Sequence, residues 1–148
     1  AAIGVREGLS GADKSFLACC IAKQDRKMRR STRYVHLPDL QMERDELAAT
    51  ERSNAKILRK YAHYELLVVD EWLTEGVDDK DISLLFEPIE RRYAAESTMP
   101  CTQYTPAEWH GRLGGGVQAD AMVDRLVHES ARIDLGDVNV RKLLAEKR

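Results

Sequence analysis

Leu66-Leu67-Val68-Val69-Asp70-Glu71 is the stretch that decides the fold. Four consecutive apolar residues, two of them β-branched and with no polar alternation, call for burial on both faces. A parallel sheet covered by helices supplies that environment, whereas an antiparallel strand with one wet face would alternate. A central strand is therefore predicted over Glu65–Asp70. It ends in two carboxylates, at the edge where open α/β sheets hold their ligands.

Working outward, the periodicity alternates between strand and helix. Upstream, Ser31–His36 (Ser-Thr-Arg-Tyr-Val-His) reads as a strand, and Pro38 opens a long polar helix. That helix is expected to run to about Tyr61 through Leu40, Leu47, Ile57 and Leu58, with a break near Ser53-Asn54. Phe16, Leu17, Cys20, Ile21 and Met28 fit an earlier helix. Ala1–Glu7 holds Ile3 and Val5 but ends in Arg6-Glu7, a poor version of the apolar strand expected there.

Downstream, an acidic loop leads to a helix from about Asp81 to Glu96, in which Pro88 should cause a kink or divide the helix into two pieces. A short strand at Thr98–Gln103, a turn at Thr105-Pro106 and a helix carrying Trp109 follow. Gly114-Gly115-Gly116 forms a joint, Gln118–Glu129 an amphipathic helix and Ala131–Leu135 a last strand. The fold class is α/β: a three-layer α/β/α sandwich around a mainly parallel five-stranded sheet.

Composition agrees with one ordinary domain: 148 residues, 43% hydrophobic and 32% charged, net charge -2. No apolar run is long enough to span a bilayer and no export leader is recognisable, so the expectation is a cytoplasmic protein without a membrane partner. Cys19, Cys20 and Cys101 have neither metal-ligand nor disulfide-framework spacing and read as reduced, buried residues. Lys23, Arg26, Lys27, Arg29, Arg30 and Arg33 crowd one stretch opposed only by Asp25. Such a cluster can touch nucleic-acid phosphates, but it also suits the negative end of a helix dipole, which is the preferred reading.

Gly8-Leu9-Ser10-Gly11-Ala12-Asp13-Lys14-Ser15 is one substitution away from the loop G-x-x-x-x-G-K-[ST]. In the intact loop backbone N–H groups wrap a nucleotide's phosphates, the lysine reaches the β and γ oxygens, and the hydroxyl serves Mg²⁺. Asp70-Glu71 supplies the complementary pair. A first carboxylate at a strand end can support Mg²⁺ through water, and a second can orient or deprotonate the water that attacks a γ-phosphate.

With these stand Phe16-Leu17-Ala18 after the loop, Tyr34-Val35-His36-Leu37-Pro38-Asp39-Leu40, Glu108-Trp109-His110 and Asp120-Ala121-Met122-Val123-Asp124-Arg125-Leu126-Val127-His128. Together they resemble the IstB/DnaC-like ATPases, AAA+ P-loop NTPases that assist transposases or load replicative helicases, and the IstB branch most. The resemblance covers nearly the whole chain. It implies an ATPase core without the family's N-terminal helical region, binding ATP or ADP with Mg²⁺ and working as a homo-oligomer on DNA with a transposase or replicative helicase.

It also implies roles for residues. Gly8, Ser10, Gly11, Ala12, Asp13, Lys14, Ser15 and Phe16 would form the nucleotide loop, with Ser15 and Asp70 serving the metal. Glu71 would position the hydrolytic water, and Thr102 and Gln103 would occupy the place of the γ-phosphate sensor. Arg125 would be the arginine finger that reaches a neighbouring subunit's site. Read without the resemblance, Arg125 is a surface partner for Asp124 or Glu129, and Gln103 an ordinary strand-end polar residue.

Asp13 departs from the pattern. Replacing glycine where φ is positive costs about 1 kcal/mol or more. A carboxylate roughly 4 Å from a phosphate oxygen, at an effective dielectric near 20, repels it by about 4 kcal/mol per unit charge, or nearly three decades in affinity. A second reading follows: an interaction module that keeps the fold with impaired nucleotide binding. The remaining aromatics and histidines receive structural readings. Trp72 is expected at a rim, Met42, Met99 and Met122 in the core, and His36, His63, His110 and His128 outside any metal site.

Overall fold

The computed structural model describes residues 3–8, 23, 31–47, 51–128 and 131–136. The helix expected after the glycine loop, Cys19 and Cys20, and most of the basic cluster lie outside the described residues.

Within them the chain runs β1 (Ile3–Gly8), β2 (Thr32–His36), α1 (Leu37–Glu46), α2 (Glu51–Tyr61), β3 (Leu66–Asp70), α3 (Asp79–Arg92), β4 (Ser97–Thr102), α4 (Pro106–Arg112), α5 (Gly116–Val127) and β5 (Ala131–Gly136). All strand pairings are parallel, in the order β2-β3-β4-β1-β5. β1, despite Arg6-Glu7, lies inside the sheet between β4 and β5.

β3 is buried along its whole length. Leu67 and Val69 join the cluster formed by Leu40, Ile57, Leu84, Leu85, Trp109 and Met122 from the helices. On the opposite face Val68 and its register partner Met99 have no exposed surface. Burial on both faces makes the sheet the middle of three layers.

The long polar helix is two helices, and its break falls after α1 rather than at Ser53-Asn54. Ser53 lies inside α2, where its hydroxyl donates to the Leu47 carbonyl at 3.0 Å. It thereby satisfies an acceptor that the end of α1 leaves open. Glu43 ties the two helices, accepting from Lys60 and from the Tyr61 hydroxyl, each at 2.8 Å. Burial raises the Glu43 pKa, but these hydrogen bonds outweigh it and leave it below the ordinary value.

α3 is one element through Pro88, not two. Its start is fixed by a reciprocal box in which Asp78 accepts from the Asp81 N–H and Asp81 accepts from the Asp78 N–H. The other Asp81 oxygen takes a 2.6 Å bond from buried Arg44 of α1. α4 begins with the same device, Thr105 and Glu108, with Pro106 in its first turn. Met42, expected in the core, is 58% exposed, whereas Met99 and Met122 are fully buried. No helix among the described residues is long and apolar enough to cross a membrane.

Arg92, at the end of α3, is 2% exposed. Its guanidinium donates to Thr98 Oγ1 at 2.9 Å, to the Tyr64 and Ala62 carbonyls at 2.6 and 3.1 Å, and to the Ser97 carbonyl. Arg92→Leu strands those acceptors away from water, which should cost about 3 kcal/mol or more. For a chain of this size the thermal midpoint should fall by roughly 6–12 °C. A midpoint within 2 °C of wild type, measured by circular dichroism, would show that the clamp is not structural.

Candidate functional site

The parallel register gathers the strand ends. Arg6 pairs with Thr102 and Val69 with Pro100, so continuing the β3–β4 ladder by two residues brings Glu71 level with Thr102. The Trp72 N–H donates to the Cys101 carbonyl at 2.9 Å, which holds the ladder to that point. β4 lies between β1 and β3, so Gly8 and Asp70 end strands about 10 Å apart. Gly8 closes β1 at this edge; Ser10, Gly11, Ala12, Asp13, Lys14, Ser15 and Phe16 lie outside the described residues.

Asp70 is 4% exposed and held by both oxygens. Oδ1 accepts from the Glu71 N–H at 2.8 Å, and Oδ2 accepts from the Tyr34 hydroxyl. Tyr34 pairs with Val68 and His36 with Asp70, so the two β2 side chains share the face that carries Asp70. His36 occupies the N-cap position of α1 without capping it. Its Nδ1 lies 3.8 Å from Glu71 Oε1, and its ring meets Tyr34 edge-on at 5.3 Å. Thus β2 holds one carboxylate through a phenol and faces the other with an imidazole.

Glu71 itself is exposed and left-handed, with φ 55°, and Leu73, fully buried, has φ 59°. Two non-glycine residues in this region within one turn represent stored backbone strain, a feature that collects at functional sites. Trp72 between them is 2% exposed and packs edge to face on Trp109, so it is not a rim residue. At the end of β4, Thr102 is 3% exposed, and its Oγ1 accepts from the Tyr104 N–H at 3.1 Å. Gln103 is exposed, with Nε2 donating to the Tyr104 hydroxyl.

Arg125 lies elsewhere. α3 runs back from the carboxyl edge, so Glu90 and Tyr93 lie toward the amino edge, where β4 begins. Arg125 Nε is 3.3 Å from Glu90, Nη1 is 3.4 Å from Asp124, and its guanidinium lies 4.6 Å from the Tyr93 ring centre. The Asp124 contact matches the surface reading; Glu90 of α3 and Tyr93, the residue that follows α3, were not expected.

The structure therefore joins Gly8, Asp70, Glu71, Thr102 and Gln103 at one edge and leaves Arg125 at the other. Sequence reasoning missed Tyr34 and His36 as partners of the carboxylates, and Arg112, which holds the turn after Glu71. The signal available for the first two was their i, i+2 spacing on a strand registered against β3.

The profile of the IstB-like ATP binding protein family matches residues 5–147. A protein of Sinorhizobium fredii named as insertion sequence ATP-binding protein y4pL is 35% identical over 135 residues, 91% of this chain and 55% of its own length. The IS232 ATP-binding protein of Bacillus thuringiensis subsp. berliner is 30% identical over 128 residues, 86% of this chain and 51% of its own. The chain thus spans about half the length of these curated relatives.

Among solved structures, a DNA replication initiation factor superposes with a TM-score of 0.73 at 16% identity, over 99% of this chain and 44% of that one. DnaI gives 0.71 at 15%, over 90% and 72%. AMPPCP-bound DnaA from Aquifex aeolicus gives 0.71 at 19%, over 98% and 44%. At such identities the likeness establishes the fold, a AAA+ P-loop domain.

The strain at Glu71 makes a testable claim. At an ordinary position glycine is less stable than alanine by roughly 0.5–1 kcal/mol, but at a left-handed residue the order reverses. Glu71→Gly should therefore unfold at a higher temperature than Glu71→Ala, by about 1 kcal/mol in chemical denaturation. The ordinary order, alanine above glycine, would mean that Glu71 is not left-handed in solution.

Proposed function

Because this chain belongs to the IstB-like ATP binding protein family, we propose that it is the ATP-hydrolysing AAA+ core of a helper protein that serves a transposase or replicative helicase on DNA. The observation that carries this reading is the register that sets Gly8, Asp70-Glu71 and Thr102-Gln103 at one carboxyl edge. Homologous insertion-sequence ATP-binding proteins favour the transposase as partner.

In this mechanism the backbone N–H groups from Gly8 to Ser15 hold the phosphates, and Lys14 neutralises their outer oxygens. The donors fit a hard divalent cation: the Ser15 hydroxyl and the Asp70 carboxylate are both oxygen donors, and Asp70 is fixed at the edge by Tyr34 and the Glu71 N–H. Ser15 and Asp70 would hold Mg²⁺, which when bound offsets charge on the transferring phosphoryl group.

Glu71 orients a water and accepts its proton; its exposure leaves room for that water. Thr102 and Gln103 donate toward the γ-phosphate from the adjacent strand end. Arg125 acts on a neighbouring copy, because in its own protomer it belongs to the opposite edge. Hydrolysis of ATP to ADP and phosphate is then a property of the homo-oligomer.

Asp13 supports a second reading, a P-loop module with impaired nucleotide binding, since its charge opposes the ligand by about 4 kcal/mol if it faces the phosphates. Titration of ATP with Mg²⁺ against wild type and Asp13→Gly separates the two. Gain of up to about three decades in affinity on Asp13→Gly is expected. Equal, tight binding by both proteins would dispose of the impairment, and absence of binding or thermal protection in both would dispose of the ATPase reading.

A further inference from the structure

The chain has two tryptophans, and the fold brings them together. Trp72 and Trp109 meet with ring centroids 6.1 Å apart at 73°, both buried. Trp72 belongs to the turn after β3, immediately beyond Glu71, and Trp109 to the helix after β4. Trp109 Nε1 donates to the Tyr104 carbonyl at 3.0 Å. Trp72 Nε1 is buried without a hydrogen-bond partner among the described residues, so that ring is held by packing, of which Trp109 is part.

Arg112, at the end of α4, closes the same junction. Its Nε donates to the Leu73 carbonyl at 2.6 Å and its Nη2 to the Thr74 carbonyl at 2.9 Å, while its guanidinium stacks 4.0 Å from the centre of the Tyr104 ring. One side chain thus grips two successive carbonyls of a turn containing two left-handed non-glycine residues. Such conformations persist only where the surroundings over-determine them. A planar fork of donors can do this; an ammonium on a flexible stem cannot reproduce both bonds and the stacking.

We infer that Arg112 is a positioning residue for Glu71: it holds the strained turn that aims the Glu71 carboxylate and, with the Trp72–Trp109 contact, ties that turn to the strand end bearing Thr102 and Gln103. The inference rests on the role proposed above for Glu71. The connection is continuous. Tyr104 donates its N–H to Thr102 and accepts from Gln103, Arg112 stacks on Tyr104, and Arg112 grips Leu73 and Thr74. A change at the β4 edge therefore reaches Glu71 through packed groups.

Because both tryptophans lie in the junction, intrinsic fluorescence reports on it directly. In an Asp13→Gly background, Arg112→Ala and Arg112→Lys are compared with the parent for ATP affinity, tryptophan emission on adding Mg²⁺ and ATP, hydrolysis and thermal midpoint. Both variants should keep the parent's ATP affinity within about twofold, lose the nucleotide-induced emission change, and hydrolyse roughly ten to a hundredfold more slowly. Arg112→Lys guards against a fold defect in the alanine variant.

A merely structural arginine would lower the midpoint and leave emission response and hydrolysis per bound nucleotide intact, which overturns the inference. If the parent binds ATP without turning it over, a retained emission response in both variants overturns it and a lost one supports it. A parent that binds no ATP overturns the site reading and this inference together.

Discussion

The guanidinium of Arg92 organises the amino edge of the sheet. It gathers the carbonyls that follow α2, at Ala62 and Tyr64, with Ser97 and Thr98 at the start of β4. Burial pushes its pKa down to about 10, with Glu96 acting in the opposite direction, so it remains charged at neutral pH. A charge taken so far out of water is tolerated only because nearly all its donors are used. The consequence is directional. With the starts of β3 and β4 fixed to the end of α3, the ladder registers outward and sets how far each strand reaches at the carboxyl edge.

At that other edge the turns are held by side chains rather than by regular structure. Asp78 and Asp81 fix the entry to α3, Arg44 anchors that box to α1, and Thr105 with Glu108 fixes the entry to α4. Between those anchors lies the left-handed turn at Glu71 and Leu73. Rigid anchors beside a strained turn restrict where the Glu71 carboxylate can point, which is the preorganisation that the role proposed for it demands.

How much of this could be read from the sequence depended on whether the signal was local. The unbroken apolar run of β3, the proline and cap residues at Thr105-Pro106 and the glycine joint specify their elements through nearest neighbours, and these were legible. So was the placing of Asp70-Glu71 and Thr102-Gln103 at strand ends. The break after α1 was misplaced because Ser53 acts on Leu47 from within the following helix rather than marking a break itself. Met42 was misassigned because α1 lacks a well-defined apolar stripe, so hydrophobicity alone did not indicate its face. Tyr34, His36 and Arg112 gained their roles from register and from contacts across long sequence separations. β1 formed a strand despite its charged end because β4 and β5 supply a parallel partner on each side, a tertiary context that overrides weak local propensity.

Arg125 contrasts with Arg92. Both are arginines near the end of α3, yet Arg125 is partly exposed and held by an ion pair with Glu90 and by the Tyr93 ring. A partly exposed ion pair contributes about 0–1 kcal/mol and an exposed cation–π contact about 0.5–1. Releasing Arg125 therefore costs roughly 0.5–2 kcal/mol, whereas releasing Arg92 would expose several buried acceptors at once. A charge that develops on a phosphoryl group in another copy's site could outbid so weak a hold, since an arginine finger stabilises such a transition state by several orders of magnitude in rate. Within one protomer the sheet separates Arg125 from Asp70 and Glu71. Weak retention and remoteness from the carboxyl edge are what the role proposed for Arg125, action on a neighbouring copy, requires.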